Sequence, residues 1–132
     1  MAQINTKDFA IAFAGSIYDA DNSARKTTIS NKCNGLKSWK EDIEREIYHT
    51  ILSPLEMNPT ESIIEVLSEI IDNNILRTQN RIRRADEKLK SAQDEATIEF
   101  ETEMKLELTQ TLTVWKQVKF MFDTQKTRFT ID

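Results

Sequence analysis

Phe9, Phe13 and Ile17 fall four residues apart, with Ala12 and Ser16 beside them. That spacing places them on one face of a helix. Asn5 or Thr6 stands in front as a cap, since a short polar side chain accepts from the free amides of a first turn. The predicted helix covers about residues 6–19. Residues 21–37, DNSARKTTISNKCNGLK, show no period and are rich in Ser, Thr and Asn. They read as a loop with a turn at Asn34-Gly35.

A second helix is predicted over about residues 38–53. Ser38-Trp39-Lys40-Glu41 has the form of a capping box, and Trp39, Ile43, Ile47 and Ile51 follow as an apolar stripe. Pro54 ends it, by lacking an amide donor and disfavouring the helical conformation at Ser53. Asn58-Pro59-Thr60-Glu61 is the next start signal, and after Pro59 neither glycine nor proline occurs again. From Ile63 through Leu67, Ile70, Asn74 and Thr78 to Ile82, Ala85 and Leu89, one face runs on to Phe100, Met104, Leu108, Trp115, Val118 and Phe122. Its period is about 3.6 residues, that of a straight helix and not a left-handed supercoil.

An unbroken helix over 59–126 would be roughly 100 Å long. Upstream segments are too short to cover it. Either the chain folds back near Ser91–Asp94, or a second copy covers the stripe. The expectation is an all-α fold: one small helical bundle over 1–132, with a long antiparallel, coiled-coil-like hairpin over about 59–126 and a tail at 127–132.

Charge supports the fold-back. Residues 76–90 hold Arg77, Arg81, Arg83, Arg84, Lys88 and Lys90 against Asp86 and Glu87. Residues 91–113 hold Asp94, Glu95, Glu99, Glu101, Glu103 and Glu107 against Lys105. Folded about residue 92, Arg84 meets Glu101, Arg81 meets Glu103 and Arg77 meets Glu107. An antiparallel dimer centred there obeys the same rule, so the pattern specifies antiparallel helices without saying whose.

Composition narrows the classes. Two glycines and two prolines in 132 residues are too few for a turn-rich sandwich or barrel. The single cysteine, Cys33, precludes an internal disulfide and points to a reducing, cytoplasmic setting. The apolar run FAIAFAG is too short to cross a bilayer, so no membrane partner is expected. With a formal net charge of −4, any nucleic-acid footprint has to be local. The 76–90 block is the candidate, but it has no aromatic residue for base stacking.

Few residues suggest chemistry. Glycine-rich phosphate loops, Cys or His metal patterns and serine elbows are missing from the sequence, and no cofactor is expected. Glu46-Ile-Tyr-His49 has di-iron spacing, but those sites need the motif twice and the chain has one histidine. Glu41 and Glu44 on one helix, with Glu69 and Asp72 on the next, are four carboxylates that would suit Mg²⁺. Their spacing resembles that of the all-α nucleoside triphosphate pyrophosphohydrolases of the MazG type, over about eight positions. The resemblance implies a Mg²⁺-dependent nucleotide hydrolase, although Lys40 stands where that motif doubles its glutamate.

Trp115, Val118 and Phe122 form one face of an apolar and basic segment that extends onto other faces at Phe120 and Met121. They suit a core or a partner site. The leading expectation is a non-enzymatic helical protein that binds another protein or itself. The alternatives are a nucleic-acid-associated protein using Arg77, Arg81, Arg83 and Arg84, and the Mg²⁺ hydrolase.

Overall fold

The computed structural model describes residues 3–131. Four helices carry the fold among them: α1 (Thr6–Cys33), α2 (Trp39–Met57), α3 (Ile63–Ser91) and α4 (Glu95–Arg128). A two-stranded antiparallel ribbon joins the ends of the described chain. In it β1 (Gln3–Ile4) pairs with β2 (Thr130–Ile131), Gln3 opposite Ile131. The helices pack chiefly as two hairpins, α1 with α2 and α3 with α4.

The all-α expectation and the fold-back hold. Ala92–Asp94 link α3 to α4, and Asp94 caps α4 by accepting from the Thr97 amide at 3.0 Å. The Thr97 hydroxyl and amide together hold the Asp94 carboxyl below the usual aspartate range.

Four local expectations are corrected. Residues 21–37 are not a loop: α1 runs on to Cys33. Its buried stripe continues from Ile17 through Asp21, Ala24 and Thr28, which keep the helical period with small and polar side chains. The helix stops at Asn34-Gly35, where the turn was expected. Gly35 sits at φ +67, and the Leu36 amide donates to the Asn31 carbonyl at 2.7 Å. That is the helix-ending turn in which glycine adopts the left-handed conformation without a Cβ clash.

Pro54 lies inside α2, which continues to Met57. One helical hydrogen bond is lost there. Burial of Leu55, worth about 1.5–3 kcal/mol, offsets it. The Ser38 side chain makes no cap bond; its hydroxyl instead accepts from Asn31 Nδ2 at 3.3 Å, tying α1 to α2. The expected tail at 127–132 is the end of α4 followed by β2, with residue 132 outside the described residues.

The core occupies one half of the bundle. It takes Phe9 to Ile17 from α1, Ile47 to Leu55 from α2, Ile63 to Ile71 from α3 and Val114 to Phe122 from α4. Phe122 meets Phe9 and Phe13 edge-on, at 5.4 and 5.6 Å between centroids. Both hairpin turns lie beyond this half. There the helices bury Asp21, Ala24 and Thr28 in one arm, and Thr78, Ala85, Glu101 and Leu108 in the other.

Candidate functional site

The first candidate is the arm of α3 and α4. Arg77, Arg81, Arg84 and Lys88 recur at helical spacing and fall within an arc of about 60° at 3.6 residues per turn. Arg83 points to a different side of α3. All four arginines are exposed, and none makes an ion pair among the described residues. Across the hairpin, Phe100, Glu103 and Glu107 share one face of α4 by the same spacing. Phe100 is 59% exposed. With Arg81, Arg84 and Lys88 it lines a cleft of about 180 Å³ whose floor is Ala85, Met104 and Leu108.

The expected pairs Arg84–Glu101, Arg81–Glu103 and Arg77–Glu107 do not close. Glu101 meets Lys88 instead, at 3.7 Å and one turn further along; Lys105 meets Asp86 at 2.6 Å and Lys119 meets Asp72 at 2.7 Å. Exposed ion pairs contribute about 0.2–1 kcal/mol each, less than burying one Leu108. Apolar packing therefore sets the register. The stripe Arg77–Arg81–Arg84 is left without partners, beside Glu103 and Glu107, which are equally free of ion pairs among the described residues.

Trp115, Val118 and Phe122 lie in the core, at 4%, 0% and 3% exposure. The side chain that α4 presents outward there is Phe120, 72% exposed, beside a groove of about 520 Å³ formed with Ala20, Tyr48 and Met121.

The structure does not bring Glu41, Glu44, Glu69 and Asp72 together. Among the described residues no three His, Cys, Asp or Glu side chains gather as a metal site. Glu41 lies more than four turns from the α2–α3 link and Glu69 less than two, an offset of about 15 Å along the bundle. Asp72 is held by Lys119. Glu44 has its carboxyl pushed up by burial and then by Glu41, while the Tyr48 hydroxyl donates to it and moderates the rise.

Sequence reasoning missed a second cluster, between α1 and α2. Asp21 is 4% exposed and accepts from Arg25 Nε at 2.8 Å through Oδ2. His49 Nε2 stands 3.6 Å from Asp21 Oδ1 and 3.4 Å from Arg25 Nη2. One turn away, the Tyr18 hydroxyl donates to Glu56, which pushes the Tyr18 ionisation up. The available signal is the Asp21–Arg25 spacing on the continued stripe of Phe13 and Ile17, which the Ser, Thr and Asn content of residues 21–37 masks.

No helix among the described residues is long and apolar enough to cross a membrane. The chain matches no protein-family model, no curated protein and no solved structure with which it was compared.

Proposed function

We propose that this chain is a non-enzymatic helical assembly protein that pairs with a second copy of itself through the open face of the α3/α4 arm. The observation that carries this is the unpartnered stripe Arg77–Arg81–Arg84 lying beside unpartnered Glu103 and Glu107, with exposed Phe100 between them. Such a face is complementary to itself. A two-fold axis along the hairpin lays α3 of one copy over α4 of the other, so each basic stripe meets an acidic one.

The arm beyond the core, residues 75–91 of α3 with its partner stretch of α4, is about 25 Å long and two helices wide. It buries about 1,000 Å² in total, the lower end for a specific interface. The assembly is therefore weak and sensitive to salt.

Size-exclusion chromatography with light scattering and small-angle X-ray scattering tests it at about 50 and 500 mM salt. A dimer at low salt that dissociates at high salt is expected. Arg81→Glu with Arg84→Glu gives monomers, and adding Glu103→Arg with Glu107→Arg restores the dimer. A monomer at low salt and high concentration overturns the reading.

One observation favours a second reading. Phe100 supplies from α4 the aromatic group that residues 76–90 lack, so the same stripe suits single-stranded nucleic acid. Fluorescence anisotropy with a labelled oligonucleotide separates the two: it rises at low salt only under the second. The hydrolase reading gains no support from the dispersed carboxylates.

A further inference from the structure

The groove between α1 and α2 has a volume of about 370 Å³ and lies outside the assembly face. It is lined by Tyr18, Asp21 and Arg25 from α1 and by His49, Leu52 and Glu56 from α2. Its centre holds an unsatisfied carboxylate oxygen. Asp21 Oδ2 is bound by Arg25, but Oδ1 is buried and has no hydrogen-bond partner among the described residues. The nearest ring nitrogen, His49 Nε2, is 3.6 Å away, beyond hydrogen-bond length, and lies closer to Arg25. A buried carboxylate oxygen without a donor is costly, which makes it a place where a ligand can supply the donor.

The surroundings define the ligand. Two carboxylates, Asp21 and Glu56, line the groove with one permanently charged guanidinium, Arg25, and the imidazole of His49, so a ligand that donates to the free oxygen and carries positive charge suits it. A bare metal ion does not fit, because no three ligating side chains gather among the described residues. The ligand must bring its own N–H donors. Buried Leu52 gives an apolar wall, and the volume is in the range of small-molecule sites. Glu56, whose carboxylate accepts from the Tyr18 hydroxyl, lines the same groove as Asp21, so a ligand with two cationic ends joined by methylenes has a carboxylate for each end. The His49 side chain is 57% exposed and stands 3.6 Å from Oδ1.

We propose that this groove binds a small organic diamine. One ammonium donates to Asp21 Oδ1, the other meets Glu56, and the methylenes lie on Leu52.

Two-dimensional NMR of the full chain, titrated with 1,4-diaminobutane, n-butylamine and butyrate, tests this. Saturable shifts at Tyr18, Asp21, His49 and Ser53 are expected with the diamine. Weaker ones are expected with the monoamine and none with butyrate. Asp21→Asn weakens diamine binding by about tenfold or more, the loss expected when a charge-assisted hydrogen bond becomes a neutral one. Glu56→Gln also weakens it and leaves the monoamine unaffected. Shifts that never saturate overturn the proposal. So does wild-type affinity in both variants, which would mark diffuse attraction to an acidic chain. Should Asp21→Asn not fold, Glu56→Gln at its exposed position decides alone, and unchanged diamine affinity there overturns the proposal.

Discussion

Replacing Phe122 by alanine tests how the two hairpins are joined. Phe122 comes from α4, is 3% exposed, and meets both Phe9 and Phe13 of α1 edge-on. Truncating a buried phenylalanine costs about 3–5 kcal/mol, and each aromatic pair is worth about 0.5–1.5 kcal/mol beyond area burial, partly within that figure. A loss of about 4 kcal/mol is expected. For 132 residues the unfolding entropy is about 280 cal/mol/K near 60 °C, so the melting temperature falls by about 14 °C. Phe120→Ala, two residues away and 72% exposed, is the control and shifts stability by less than about 0.5 kcal/mol. Circular dichroism with urea and with heat measures both. A Phe122→Ala cost near 1 kcal/mol, or a Phe120→Ala cost as large as that of Phe122→Ala, refutes the assignment of which face of α4 is inside. The measurement belongs at low protein concentration and high salt, where the proposed dimer does not add to stability.

Two further outcomes follow from local geometry. Gly35→Ala places a Cβ at φ +67 and costs about 1 kcal/mol in urea unfolding, although nothing crowds the site. Tyr48 has its ionisation pushed up to about 12, first by burial and then by Glu44, so absorbance titration shows it ionising about two pH units above a free tyrosine. The unfolded chain releases that proton near pH 10. The stability held by the neutral hydroxyl is therefore full below pH 10 and is lost as pH rises to about 12; Tyr48→Phe should flatten that decline.

What was legible in the residues was the large apolar pattern. Ile63, Leu67, Val118 and Phe122 announce buried helical faces because burying them dominates the energetics. The break near Ser91–Asp94 was legible from length and charge, because nothing upstream could cover an unbroken stripe and the basic and acidic blocks face each other about residue 92. The second half of α1 was not. Asp21, Ala24 and Thr28 keep the helical period, yet only tertiary packing shows that they are buried. Charge misled in a different way. Arg84 and Glu101 are opposite in sign, but Ala85 and Leu108 decide the register, and Glu101 falls to Lys88. The buried carboxylate of Asp21 was invisible for the same reason as its helix. Its importance lies in a hydrogen bond that is missing, and missing bonds leave no trace in composition.

The pairing of Gln3 and Ile4 with Thr130 and Ile131 makes the backbone nearly a ring. Each helical hairpin is then one lobe of a nearly closed loop. A circular permutant follows naturally: a short linker bridges the two strands, and the chain opens at Asn34-Gly35, an exposed turn far from the core. Such a rearrangement would place new termini at the tip of the α1/α2 arm while leaving the α3/α4 arm intact, so tethering and assembly could be engineered from opposite hairpins.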